Sequence, residues 1–536
     1  MTQRSIAALV LSLFFLTATS WSIFVPVFEA PDETVAYEYA RYESRTWKIP
    51  VLTEDPSQGF HHWEPLYFFI LGAVAKGLDA PVSVDSHYYY EDGWKRIREE
   101  QPMSFFRHEP TEFKFVWDKI AVSLHIMRMV SVFLATGSVW FMYKMGREIF
   151  PEPSWIPLLA MALFGFNPQF VFFSGILNVV NMATFSTTLF VWLLMRFMRR
   201  AVNRSVDIMA LGASLGVAIL SKMTALPVMG AAIIALWWKR MSEKKSVITA
   251  TFLFLVIFLL SGGWYLLRNQ ALYGEFSGSR AHVLYRFGKI TNPFLEEVGL
   301  VNFLISYPKT QWRTFWSGFG WTMIYLPAVF PFFMLLFYFH GLWGLVLSFV
   351  HKQRISFTSG QIRQLIVLSL VPILVWVGIS RVIFIVEVFH GKDLFLVSGP
   401  LALLVISGWK HFLQDSPEEQ LKLRGIGNVI TVLVSFVSVF WFRQIELARL
   451  FKGIADLADV EKMFVVFLAT AVILKLFWNV VNNRMVRREV AVLYKRYQWQ
   501  MFSVLPFVLA LADIAILFGI AIPAFYKMPI WSLLQS

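Results

Sequence analysis

The sequence predicts an all-α polytopic membrane protein: a bundle of about 13 transmembrane helices with a large extracytoplasmic first loop carrying interfacial helices. Three observations predict it. The 536 residues are 57% hydrophobic and only 15% charged, with a mean hydropathy of +0.58. Apolar runs of about 20 residues recur, each long enough to cross a hydrocarbon core about 30 Å thick. Lysine and arginine then gather in alternate connections, the mark of cytoplasmic loops.

The predicted spans lie near 5–27, 118–143, 154–173, 177–197, 207–221, 223–238, 247–267, 322–349, 361–386, 394–411, 427–442, 463–481 and 502–525. Residues 1–27 read as a first transmembrane helix that stays attached, because the apolar core is long and no clear small-x-small cleavage site follows. Residues 28–117 are the extracytoplasmic first loop, with an acidic motif and juxtamembrane helices. Residues 118–411 form the core transmembrane region, including an extracytoplasmic loop at 268–321. Residues 412–536 supply the C-terminal helices and a surface helix at 442–462, where Leu447, Leu450, Phe451, Ile454 and Leu457 recur at helical spacing. Basic pairs such as Lys144/Arg147, Lys239/Arg240 and Lys352/Arg354 put the N-terminus in the cytoplasm and the C-terminus outside.

Composition also excludes functions. A net charge of +13 in a soluble protein would point to nucleic acid, but here the basic cytoplasmic loops account for it, and no nucleic-acid partner is expected. With no cysteine there is no thiolate nucleophile, disulfide or Cys-ligated metal. The cytoplasmic loops are short and lack a glycine-rich phosphate loop, which argues against ATP-driven transport by this chain alone.

Cations on the outer side are informative because the positive-inside rule disfavours them there. Lys222 in "ILSKMTALP", Arg268 in "GGWYLLRNQALYGEFSG" and Lys392 in "FHGKDLFLVSGP" are such residues. If they converge, they make a site for an anion, most simply a lipid phosphate. Arg313 in "QWRTFWSGFGW" and Arg128 inside the second span read equally well as snorkelling or ion-paired side chains and as functional groups. The carboxylates Glu29, Asp32 and Glu33 cluster at the outer membrane edge. Asp32 and Glu33 follow Pro31, so they read either as first-turn acids facing a helix's positive end or as groups facing the anion pocket. His61, His62 and Glu64 precede a short apolar helix. An interfacial aromatic cluster suits them better than a metal, since adjacent histidines point apart.

Several blocks resemble the glycosyltransferase C (GT-C) superfamily, specifically bacterial relatives of protein O-mannosyltransferases and of the aminoarabinose transferase acting on lipid A. "PDETVAYEYARYESRTWKIPV" looks like the acidic first-loop motif, and "HHWEPLYFFILGA" like the His/Lys-Pro-Pro-Leu-Tyr segment. "MRMVSVFLATGSVWFMYKMGREIF" resembles the Arg-x-x-Ser span. "LGASLGVAILSKMTALPV", "GWYLLRNQALYGEF" and "FWSGFGWTMIYLP" resemble further blocks, in the expected order. The departures are Glu64-Pro65 for Pro-Pro, Asn181-Met182 for Asn-Asp, and Gly391-Lys392-Asp393 for Gly-Arg-Tyr.

The resemblance implies a GT-C-like bundle in the bacterial cytoplasmic (inner) membrane. It implies a hexosyl- or pentosyltransferase taking a polyprenyl-phosphate sugar donor and an extracytoplasmic glycan, lipid or protein acceptor. By position, Asp32 would be the general base with Glu33 in support, and Lys222, Arg268 and Lys392 would hold the donor phosphate. Glu29, His61, His62, Glu64, Tyr67, Arg128, Arg313 and Trp316 would line the substrate pocket. No metal ligand set is assigned and no cofactor is assigned with certainty, a divalent ion being left open. A flippase for lipid-linked sugars, or a polysaccharide polymerase or ligase, would use a similar anion site. No internal repeat favours the flippase.

Overall fold

The computed structural model describes residues 2–52, 63–81, 106, 108, 110–113, 115, 117–151, 154–202, 204–288, 292–350, 357–384, 390–412 and 504–526. Apart from one isolated bridge between Phe319 and Ile324, these residues form helices and turns. Among them, eight helices are long and apolar enough to cross a membrane: Gln3–Phe24, Lys119–Ile149, Val180–Arg199, Val247–Tyr273, Val329–Phe349, Ser359–Val382, Gly391–Lys410 and Val504–Tyr526. A ninth candidate is the pair Ile156–Gly165 and Pro168–Ser174, bent by 64°. The bend has a local cause. Asn167 takes the N–H groups of Gln169 and Phe170 on its side chain (3.0 and 3.2 Å), and Pro168 then starts a new helix.

The expected count of about 13 spans is therefore not reached among the described residues. The segments expected at 207–221 and 223–238 form helices of only 17 and 15 residues, Ser205–Ser221 and Val228–Ser242. The chain becomes extended at Lys222 (φ −165°, ψ 127°), which ends the first of them at the position of the charge. The spans expected at 427–442 and 463–481, and the surface helix at 442–462, lie outside the described residues.

The chain divides into two compact units, residues 1–326 with 357–406 and 502–536, and residues 327–356 with 407–501. The first unit is built around Lys119–Ile149, a helix of 31 residues and about 46 Å. Asp118 caps its start by accepting from the Ala121 amide (2.7 Å). Small residues let neighbours approach closely, as expected where helices pack within a membrane. A Cβ on Gly137 would lie 2.6 Å from the Phe185 ring, and one on Gly262 would lie 2.0 Å from the Gly216 carbonyl. Gly262 sits in a π-helical turn, Leu259–Gly263, which interrupts the Val247–Tyr273 helix ahead of Tyr265 and Arg268.

Two helices follow the first span. Glu33–Thr46 and Leu66–Gly77 lie against each other, with the Tyr39 and Phe68 rings stacked at 4.1 Å. In the second unit, Gly408 backs onto Gly341 and Trp409 donates its indole N–H to the Phe337 carbonyl (3.1 Å).

Candidate functional site

The acidic motif is anchored by one residue of the long helix. Arg128 is fully buried, and its side chain makes hydrogen bonds with all five N–H donors. Nε and Nη2 donate to the two oxygens of Glu33 (2.8 and 2.6 Å), and the rest go to the carbonyls of Ser22, Val25 and Pro26. Glu33 also accepts from the Leu177 amide (2.8 Å). Three residues further along the same face, the Ser131 hydroxyl bonds the Tyr67 hydroxyl (2.7 Å). The Arg-x-x-Ser block thus ties both halves of the first loop to the bundle.

Asp32 behaves differently from Glu33. It occupies the N-cap position of Glu33–Thr46 in a left-handed conformation (φ 68°, ψ 2°), and its side chain makes no capping hydrogen bond. Aspartate tolerates that conformation better than most residues, at a cost of about 1 kcal/mol. The loop around it is fixed by Asn178 donating to the Pro31 carbonyl (3.2 Å) and Trp321 donating to the Phe28 carbonyl (3.1 Å). The freed carboxylate is 41% exposed and pairs with Lys392.

Lys392 comes from the tight turn Gly391–Leu394, which the neighbouring helix Pro293–Trp316 holds in place. The Gly391 amide donates to the Thr314 hydroxyl (2.7 Å), and a Cβ on Gly391 would lie 2.2 Å from the Phe315 nitrogen. Only glycine allows that approach. His390 accepts the Lys392 amide on its ring (3.0 Å). The next residue, Asp393, pairs with Lys222 at 2.5 Å. Just past Lys222, the Met223 amide donates to Glu64 (2.6 Å), so Glu64 caps the turn that follows the lysine.

Two lysines and two aspartates, from three distant stretches of sequence, therefore meet in one cluster with Glu64 and His390 beside it. The electrostatics follow the geometry. Its surroundings push the Asp32 carboxyl up, but Lys392 and then Lys222 outweigh this and hold it below the usual carboxylate range. Burial pushes Glu64 up to about 7 against the pull of the Met223 amide and Lys222.

Lys222 and Lys392 thus converge on Asp32, and Arg268 makes contacts of its own. Its guanidinium donates to the Pro50 carbonyl (2.9 Å) and lies over the Tyr265 ring (5.7 Å). Glu29 is fully buried, accepts from the Phe106 amide (2.6 Å) and faces His108 (3.0 Å). Arg313 lies over the Tyr325 ring at 4.0 Å, and Trp316 is buried against Trp312 and Phe315. His61 and His62 lie outside the described residues. Sequence reasoning missed Asp393, His390, and the His108–Glu112 pair. The signal for Asp393 was present: it directly follows a lysine already singled out, in a loop expected to face outward.

These features define a class, the multi-pass helical membrane proteins, here with a lysine–carboxylate cluster fed by an anchored first loop. Within it, residues 119–264 match the family model described as dolichyl-phosphate-mannose-protein mannosyltransferase. That stretch carries the sequence pattern of a glycosyltransferase family and contains Arg128, Ser131 and Lys222. No curated relative matches the chain. Among solved structures, the chain is similar to ArnT from Cupriavidus metallidurans bound to undecaprenyl phosphate, at 13% identity and a TM-score of 0.40, covering 95% of this chain and 76% of that one. The apo form of the same protein is similar at 12% identity and a TM-score of 0.39, with the same coverage.

Proposed function

We propose that the protein is a membrane glycosyltransferase that moves a sugar from a polyprenyl-phosphate donor to a hydroxyl of an extracytoplasmic acceptor, with Asp32 as the general base. The observation that carries this reading is the Asp32 side chain itself. It gives up a cap to sit, ionised and partly open, beside two lysines. The family pattern over residues 119–264, which includes Lys222, supports the same reading.

In the proposed reaction Asp32 takes the acceptor's proton as its oxygen bonds to the anomeric carbon. The bond from that carbon to the phosphate oxygen breaks, and the polyprenyl phosphate leaves with the electron pair. Lys222 and Lys392 stabilise the charge that develops on it. Each lysine starts paired with an aspartate, so the donor phosphate competes with Asp393 and Asp32 for them. Glu33, fixed by Arg128, positions Asp32 from the adjoining residue. Arg268 steadies the Ile49–Pro50 stretch beyond the first loop helix. The cluster lies on the extracytoplasmic side of the inner membrane, with the N-terminus inside and the C-terminus outside.

The test is transfer itself. Purified protein in lipid nanodiscs is given a panel of radiolabelled polyprenyl-phosphate sugars, and sugar release or transfer is followed. Turnover with one donor is expected. Failure of every donor, with a folded protein, would count against the assignment.

A further inference from the structure

His390 opens the turn Gly391–Leu394, and its two ring nitrogens are used differently. Nδ1 accepts the Lys392 amide (3.0 Å) and so caps the turn. An accepting nitrogen carries no proton, so the neutral ring holds its proton on Nε2. Protonating Nδ1 would set one N–H against another and break the cap. Burial, and then the Lys392 charge, push the imidazole down to about 3. Lys222 acts in the same direction, and Asp393 and Asp32, the other charges facing the ring, do not offset them. His390 is therefore neutral at any working pH.

The Nε2–H is closed off from solvent and, among the described residues, has no acceptor. Buried donors without a partner are rare, because each forfeits its hydrogen bond to water. The ring is not free to turn and find one. The cap holds Nδ1, and the ring meets Phe173 in a T-shaped contact at 5.4 Å. The Lys392 ammonium lies over the same Phe173 ring at 5.9 Å, so one side chain supports both groups. The two aspartates are engaged elsewhere, Asp32 with Lys392 and Asp393 with Lys222. A phosphate that takes the lysines from them brings the oxygen acceptor that the Nε2–H lacks.

We propose that neutral His390 donates its Nε2–H to a phosphate oxygen of the polyprenyl-phosphate donor, as the third member of the phosphate site with Lys222 and Lys392. This rests on the transferase reading and adds a residue to it. A neutral imidazole contributes a hydrogen bond to the developing charge without adding a charge of its own. It is not a general acid. Losing the Nε2 proton would leave an imidazolate, and the polyprenyl phosphate departs as an anion that needs no proton.

Two substitutions separate the two nitrogens. Asparagine puts its amide oxygen where Nδ1 lies, so His390→Asn keeps the cap and removes the donor. Glutamine puts an N–H near Nε2, so His390→Gln keeps the donor and loses the cap. Full-length protein in a maltoside detergent is titrated with decaprenyl phosphate, and with decaprenol as the phosphate-free control, by tryptophan fluorescence. A hydrogen bond to a charged group predicts that His390→Asn weakens decaprenyl phosphate binding about 10–100-fold. Its melting temperature and its decaprenol binding should stay parental, and the factor should be equal at pH 6 and pH 8. His390→Gln should melt lower yet bind the phosphate within a few-fold of the parent. If His390 only caps the turn, Gln is the weaker binder and Asn is parental, which overturns the proposal. A factor that grows toward pH 6 reveals an imidazolium and overturns the neutral donor. Parental binding by His390→Asn, while Lys392→Ala still weakens it, sinks this proposal alone. A parent that binds no decaprenyl phosphate sinks the transferase reading with it.

Discussion

Asp32 and Lys392, 360 residues apart in the chain, share an ion pair, and Asp32 forms it from an N-cap position without capping the helix behind it. That arrangement separates two accounts of the acidic motif. If Asp32 served the helix, its loss would cost stability of about 1 kcal/mol and leave chemistry intact. Because it caps nothing, Asp32→Asn should change the melting temperature little, since asparagine accepts the left-handed conformation equally well. Turnover should fall about 10²–10⁴-fold through loss of the base. Full transfer by a well-folded Asp32→Asn protein would remove the catalytic role.

Much of this was legible in the sequence, and the illegible part has physical reasons. Long apolar runs announce themselves, so the helices at Gln3–Phe24, Lys119–Ile149 and Ser359–Val382 fall where hydropathy puts them. Hydropathy does not register a bend, and the expected span at 154–173 breaks at Asn167-Pro168. Nor does it separate a span from a shorter helix, as Ser205–Ser221 shows. In the site, the positive-inside rule found Lys222 and Lys392 because each charge stands out locally. It also suggested Arg268, whose hydrogen bond to the Pro50 carbonyl depends on a fold that no local pattern encodes. Asp32 and Glu33 look equivalent in sequence. They part company only because Arg128, 95 residues on, takes one of them.

The Arg128–Glu33 pair is fully buried, so breaking it should be costly in stability. Glu33→Gln leaves a buried guanidinium facing a neutral amide, and Arg128→Met leaves a buried carboxylate. Each should destabilise by about 3–5 kcal/mol, visible as a large fall in melting temperature in detergent. Turnover should fall less for Glu33→Gln than for Asp32→Asn. A Glu33→Gln protein with parental stability would show that the pair does not anchor the motif.

Topology can be checked directly, because the parent contains no cysteine. Glu243→Cys, in the connection after Val228–Ser242, should resist an impermeant thiol reagent in intact cells and react once the cells are opened. Labelling of intact cells would invert the assignment and put the Asp32 cluster on the cytoplasmic side.

Gly391 meets the backbone of Phe315 too closely for any side chain. Gly391→Ala must push the Lys392 turn away from the helix or deform both. Overpacking of this kind typically costs about 1–3 kcal/mol. Because the displaced residue carries Lys392, donor KM should rise even at temperatures where the protein stays folded. An alanine variant with unchanged donor KM would show that the turn does not place the lysine.

His108 supplies the last prediction, a dependence on pH. It bridges Glu29 and Glu112, with one carboxylate at 3.0 Å from each ring nitrogen, so the two carboxylates cannot share a metal with it on one side. Burial alone would lower the histidine's pKa, but the two hydrogen-bonded carboxylates outweigh it and raise the pKa to about 9. The unfolded value is about 6.5. Because the folded value is the higher, the stabilisation is fully present below about pH 6.5 and drains away as pH rises through 9. At about 1.4 kcal/mol per unit, the whole effect is roughly 3 kcal/mol. It bears on the site because Glu29 lies three residues before Asp32, and the bridge pins the Phe106–Glu112 stretch to that motif. His108→Gln should therefore melt well below the parent near pH 6, and the gap should close by about pH 9.5. A gap that stays constant over this range would mean that His108 carries no proton in the folded protein, and that the bridge is an ordinary neutral contact.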